Sequence, residues 1–360
     1  MRKVIEGFKP LSGKHCVTTA LRQILNYYGH SFSEEMLLGL GEGLYFGYMQ
    51  LGTGPMLTGR KKVFEFEEVL ARHLGITMRC KAPKEYEGAF VNLKAQIDKD
   101  KPTFIYVDMS YLSYLQMSSH SHFGGHAVVV FGYDEKEKIF YISDRDGEDF
   151  PVPTSKGGAM KQDVHLVPYE QVEQARSSTY RPFPPHHKYL EIDVLGMKPI
   201  DKKMLGEAIY NCAYAMLYPP AKFLGINGIL KLAKGLPKWE QLGEREMVIA
   251  AITNSYMIGH EGGTGGGAFR KMYGNFLIEA ANYFKGDELT SIGEQFLEVG
   301  NQWDTVGNNL RELGSKRVGE GKIDKQRLTD IGHQVEEIYQ AEKILYQALI
   351  TYISKNRGEE

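Results

Sequence analysis

Past Val194 the chain changes period. Beyond Tyr189-Leu190-Glu191-Ile192-Asp193-Val194, itself patterned as a last strand, apolar residues recur at three- and four-residue intervals. Helices are expected over 201–217, 222–234, 241–259, 268–284, 288–313 and 323–355, with Pro219-Pro220 and the 262–267 glycine run as breaks. Residues 177–185, Ser-Ser-Thr-Tyr-Arg-Pro-Phe-Pro-Pro, have linker composition. The reading is an α+β fold in two domains: 1–185 mixed, 186–360 a mostly α-helical accessory domain. No internal repeat is found.

The first half alternates short helical patterns with β-branched and aromatic runs. Residues 66–74 read as a helix stopped by Gly75, 76–80 as a strand, 91–99 as a helix and Pro102-Thr103-Phe104-Ile105-Tyr106-Val107-Asp108 as a buried strand. A loop, 109–125, follows. Ala127-Val128-Val129-Val130-Phe131-Gly132-Tyr133 and Lys138-Ile139-Phe140-Tyr141-Ile142-Ser143-Asp144 then form a hairpin about Asp134-Glu135-Lys136-Glu137. Folding about that turn sets His126 opposite Asp144 or its neighbour Arg145. Earlier, a short capped helix over 33–40 runs into a glycine-rich, aromatic stretch over 39–48. That stretch lacks the spacing of a phosphate loop, and reads either as a tight wall beside a ligand or as a turn under the core.

Cys16 opens a helical pattern with apolar residues at 17, 20, 21, 24, 25 and 28 and Gly29 as its stop. Unpaired N–H groups and the positive helix end favour a thiolate there. A cysteine can also be a small buried apolar residue, so the chemistry rests on its company. With His126 at a strand start and Asp144 one strand later, Cys16 has a base and an orienting carboxylate in papain-like chain order. Asp146 is the reserve for the third role, since it would share the strand face.

Four other groupings carry less. His120, His122 and His126 lack a familiar metal spacing, so no metal is expected, and His186-His187 reads as solvated linker. Gly262-Gly263-Thr264-Gly265-Gly266-Gly267-Ala268-Phe269-Arg270 precedes a helix; Gly265, Gly266 and Arg270 are candidate contacts to a phosphate or pantetheine, and a plain turn explains the glycines equally well. Lys222, Lys231, Lys234 and Lys238 form a basic ridge suited to an acidic carrier protein, or a solvated face.

A formal charge of −2 over 360 residues argues against bulk nucleic-acid binding. Three well-separated cysteines, Cys16, Cys80 and Cys212, indicate neither a disulfide framework nor a zinc site. The N-terminal residues meet charges before any apolar run develops, and no stretch approaches a membrane span of about 20 apolar residues. A cytoplasmic protein without membrane contact is expected.

The stretches Gly13-Lys14-His15-Cys16-Val17-Thr18-Thr19-Ala20-Leu21, His122-Phe123-Gly124-Gly125-His126-Ala127-Val128-Val129-Val130-Phe131-Gly132-Tyr133-Asp134 and Ser143-Asp144-Arg145 resemble the BtrH-like proteins, typified by the acyltransferase of butirosin biosynthesis. Gly263-Thr264-Gly265-Gly266-Gly267-Ala268-Phe269-Arg270-Lys271-Met272-Tyr273 is similar to a motif of the domain that accompanies the BtrH N-terminal domain. The resemblance implies a papain-like catalytic domain with nucleophile Cys16, base His126 and orienter Asp144. It further implies acyl transfer from a carrier-protein thioester to a small amine, forming an amide in a nonribosomal, thiotemplated or aminoglycoside pathway. The partners implied are an acyl or peptidyl carrier protein and the amine. No cofactor is implied beyond the phosphopantetheine that carries the donor, and a homodimer is left open. The alternatives are a cysteine peptidase or amidase, and a non-catalytic binding protein on the same fold. Papain-like peptidases usually carry a glutamine shortly before the cysteine, and residues 6–15 hold none. The Cys16 N–H, with the Lys14 or His15 side chain, is the expected oxyanion donor set.

Overall fold

The structure, a computed structural model, describes residues 1–51, 54–61, 65–118, 122–154, 158–181, 183–315 and 325–356. In chain order these form β1 (Arg2–Val4), α1 (Cys16–Tyr27), α2 (Glu34–Leu40), β2 (Leu44–Leu51), β3 (Gly54–Arg60), α3 (Glu65–Leu74), β4 (Thr77–Lys81) and α4 (Tyr86–Asp98). Next come β5 (Thr103–Val107), β6 (His126–Asp134), β7 (Ile139–Ser143), β8 (Val152–Pro153), β9 (Ala159–Met160), β10 (His165–Pro168), α5 (Tyr169–Ser177) and β11 (Tyr189–Asp193). The remainder is helical: α6 (Lys202–Leu217), α7 (Gly225–Gly235), α8 (Glu244–Ile258), α9 (Arg270–Ala280), α10 (Glu288–Ser315) and α11 (Lys325–Asn356). The class is α+β, with a sheet-based N-terminal part and a helical C-terminal part. No helix among the described residues is long and apolar enough to cross a membrane.

Two compact units emerge, 1–37 with 75–198, and 38–74 with 199–360. These units divide the chain elsewhere than the single cut expected between 185 and 186. The first unit runs past the linker because β11 is an inner strand of its sheet, pairing with β5 on one side and β4 on the other. Segment 38–74 joins the helical unit because β2 packs on α7 and β3 on α8.

In the first unit the described strands form an antiparallel sheet ordered β10-β7-β6-β5-β11-β4, with β1 pairing the end of β6. Every residue of β5 is buried, and so is all of β6 before Asp134, as in strands covered on both faces. Helices α1 and α4 both pack on β6. Helix α1 buries Val17, Ala20, Leu21, Ile24 and Leu25, the stripe that its periodicity predicts, and Gly29 follows it at a φ of +88°.

The second unit surrounds α10 and α11. Helix α10 packs against α8, α9 and α11, and α11 against α6 and α7. Helices α9 and α10 approach backbone to backbone at Gly274 and Gly293, where a β-carbon on either residue would lie 2.7 Å from the other's carbonyl oxygen. The stretch over 39–48, left open between ligand wall and turn, leads into β2. There, glycines admit ring stacking: a β-carbon on Gly41 would collide with the Phe66 ring.

Candidate active site

Cys16 is the first residue of α1, and His15 caps that helix in an extended conformation, its Nδ1 accepting from Thr18 N–H at 3.4 Å. The cap is built on Glu34, a buried carboxylate of the first unit. Its oxygens accept from Lys14 N–H at 2.7 Å, His15 N–H at 3.1 Å, Thr18 Oγ1 at 2.8 Å and Thr19 Oγ1 at 2.7 Å. Glu34 thus satisfies backbone donors in the approach to the helix and fixes where Cys16 enters it.

His126 is the first residue of β6 and pairs with Val107 at the end of β5. The β6–β7 ladder matches Val129 with Ser143 and, beyond a bulge at Phe131, Asp134 with Ile139. The bulge shifts the register by one residue along the ladder, and pairing stops at Ser143. Even so, the next residue, Asp144, meets His126: Nε2 and Oδ2 lie 2.7 Å apart and both side chains are buried. Three further bonds tie this strand end to the cysteine segment. Gln23, two turns along α1 from Cys16, donates to the Asp144 carbonyl at 3.2 Å; Gly13 N–H donates to the Arg145 carbonyl at 2.7 Å; and Arg145 Nη1 donates to the Lys14 carbonyl at 3.2 Å.

The electrostatics follow from burial and pairing. Burial pushes the His126 pKa down, but the Asp144 charge and hydrogen bond, with a side-chain hydrogen bond and charge interaction from Cys16, raise it to about 10. Burial pushes Asp144 up, yet the His126 charge and hydrogen bond, the Arg145 N–H and the Tyr114 hydroxyl hold it at about 2. With Nε2 taken by the carboxylate, Nδ1 is the ring nitrogen left for the thiol. The His126–Asp144 pair can therefore hold a carboxylate and a charged imidazole at neutral pH.

Other expected residues are placed differently. Asp146 is the partner of His165, whose Nε2 lies 2.8 Å from Oδ1, and its Oδ2 accepts from Gln162 N–H at 3.1 Å. The Lys14 ammonium is paired with Glu35, and His15 Nδ1 accepts from Thr18 N–H. His122 is bonded through Nδ1 to Asp108 at 2.9 Å and Ser110 at 2.8 Å, and His120 lies outside the described residues.

In the second unit, two of the three residues read as anion contacts, Gly266 and Arg270, are engaged within the protein, and Gly265 lies beside them at a φ of +69°. Arg270 is fully buried, donating from Nε to Glu342 Oε1 at 2.8 Å and from Nη2 to Oε2 at 2.9 Å. Gly266 N–H donates to Thr264 Oγ1 at 3.0 Å and Gly267 N–H to Asp304 at 2.7 Å. Ala268 and Phe269 adopt positive φ, 49° and 73°, and Arg270 Nη1 holds the Ala268 carbonyl at 2.8 Å. The motif is a strained turn clamped by a buried ion pair. Lys222, Lys231, Lys234 and Lys238 are exposed, with Lys231 over the Phe223 ring.

Sequence reasoning missed Glu34, Gln23 and Tyr114. Gln23 carried a signal, since seven residues place it on the same face of α1 as Cys16. Tyr114 carried none: it sits in a single turn, Ser113–Leu115, within the stretch read as loop. It forms part of the wall of a cavity of about 420 Å³ with Gln116, Glu148, Lys161, Gln162 and His165.

The sequence profile described as "Butirosin biosynthesis protein H, N-terminal" matches residues 15–145, a span that holds Cys16, His126 and Asp144. A second, described as "Domain of unknown function (DUF4872)", matches residues 170–349, half of the chain. Comparison with curated proteins gave no match. With its first segment matched by the one profile and half of its length by the other, the chain belongs to the BtrH-like family.

Proposed function

We propose that the protein is a cysteine-dependent acyltransferase that moves an acyl group from a carrier-protein thioester through acyl-Cys16 to an amine. Membership of the BtrH-like family supports a biosynthetic, acyltransferase-like role in general. The observation that carries the finer reading is the buried His126–Asp144 pair at 2.7 Å with the Cys16 side chain bonded to the same imidazole.

The Cys16 thiolate adds to the thioester carbonyl, and collapse expels the pantetheine sulfur, which takes the proton held by His126. The amine then adds to acyl-Cys16 and gives a proton to the now neutral His126. Collapse forms the amide and returns the Cys16 thiolate beside an imidazolium. Asp144 keeps the ring oriented throughout, and the Cys16 N–H at the start of α1 faces the developing oxyanion. Thioesters demand less of that donor set than amides do. The four exposed lysines offer a positive face to an acidic carrier.

The test is incubation with an acyl-pantetheine thioester and a panel of amines. Amide formation with an acyl-Cys16 adduct visible by mass spectrometry supports the reading. Hydrolysis that no amine changes would make the protein an amidase or peptidase, and an inert Cys16 would make it a binding protein.

A further inference from the structure

Among the described residues the Asp144 carboxylate has three donors, of which His126 is one. Arg145 N–H holds Oδ1 at 2.7 Å, while Oδ2 is shared by His126 Nε2 at 2.7 Å and the Tyr114 hydroxyl at 2.9 Å. The terminal torsion of an aspartate is soft, so its donors decide where the oxygens point. Tyr114 is the side chain that donates to the same oxygen as the imidazole.

The Tyr114 ring is fixed in turn. It stacks on His165 with centroids 3.8 Å apart and planes inclined by 12°. His165 cannot turn without losing its bond to Asp146, which Gln162 N–H anchors. The loop that carries Tyr114 is closed at its base by one buried carboxylate: Asp108 accepts from Ser110 N–H at 3.2 Å and Phe123 N–H at 3.1 Å. Burial and the Asp144 charge raise the Tyr114 pKa well above its usual value, so the hydroxyl stays a donor.

We propose that Tyr114 is a positioning residue for the Cys16–His126–Asp144 group, and that the stacked His165–Asp146 pair holds Tyr114 in place. This rests on the reading of Cys16 as nucleophile and His126 as its base. Two effects oppose each other when the hydroxyl is removed. A carboxylate with one donor fewer would hold the imidazolium more tightly. A carboxylate held by Arg145 N–H on its far oxygen alone would present the near one to the imidazole less squarely, and burial would then favour the neutral ring. The second effect dominates, because Tyr114 and His126 share one oxygen and the remaining donor, Arg145, binds the other. Removing the hydroxyl therefore deprives the thiolate of its charged partner.

The experiment is iodoacetamide alkylation of the full chain from about pH 4 to about pH 9, read peptide by peptide, with the exposed Cys80 as an ordinary thiol in the same tube. In Tyr114→Phe the Cys16 midpoint should move up by about one pH unit, the size of one lost hydrogen bond to a charged group, with Cys80 unchanged. A merely structural Tyr114 would lower the unfolding midpoint in urea and leave the Cys16 midpoint in place, which overturns the proposal; a downward shift also overturns it. If Cys16 in the wild type reacts no earlier than Cys80, the nucleophile reading fails and takes this proposal with it. His165→Gln covers the case in which Tyr114→Phe folds poorly. A smaller upward shift there supports the proposal, and none overturns it.

Discussion

At the scale of single residues, the His126–Asp144 pair ties stability to pH in two windows. His126, raised from 6.5 to about 10, contributes stability that is complete below its unfolded value and lost as pH rises toward about 10. Asp144, lowered from 3.8 to about 2, contributes stability present above its unfolded value and lost as pH falls toward about 2. Urea unfolding of Asp144→Asn should therefore show a loss of about 3–5 kcal/mol near neutrality, narrowing toward pH 10. A loss that stayed constant across that range would mean that the carboxylate packs rather than pairs. Glu34→Ala should cost about 2–3 kcal/mol in the same assay and slow Cys16 alkylation, because the donors at the head of α1 lose their acceptor. The place of Cys16 at a helix start and the meeting of His126 with Asp144 were legible in the sequence because each residue sits at the end of a patterned element. Glu34 and Tyr114 were not, since a buried acceptor and a loop hydroxyl leave no periodic trace.

The element scale shows where pattern reading succeeds and where it stops. Helices α6 to α11 lie within a few residues of their expected bounds, because long apolar stripes facing a common core dominate local chemistry. The β2–β3 hairpin escaped, since glycines at 43, 47, 54 and 59 break the alternation that would have marked it. The glycine motif before α9 is a related case. Its Gly266 and Gly267 N–H groups donate to Thr264 and Asp304, and Arg270 serves Glu342, with Trp303 Nε1 donating to the same carboxylate at 2.7 Å. Arg270→Ala is expected to destabilise the chain by about 3–5 kcal/mol in urea unfolding. A stable variant with an altered dependence on the thioester concentration would restore the substrate role instead.

For the whole molecule, the two units set what can be cut. A fragment of residues 1–198 keeps every strand of the large sheet but strands β2 and β3 without α7 and α8. Buried Leu44, Phe46 and Leu57 would then face water. The expected result is aggregation and binding of a hydrophobic dye, both absent from the full chain. A monomeric fragment that ignores the dye would show that segment 38–74 does not need the helical half. The linker at 177–185 was legible in composition but did not mark the boundary, because a sheet strand follows it.

The insertion of 38–74 also orders events during synthesis. Once residue 198 has left the ribosome the first unit has all its parts, while β2 and β3 wait for α7 and α8, and α10 and α11 come later still. At ordinary elongation rates the last helices follow roughly ten to thirty seconds later. Through that interval an apolar hairpin hangs from a completed sheet, which makes the nascent chain a natural client for a holding chaperone.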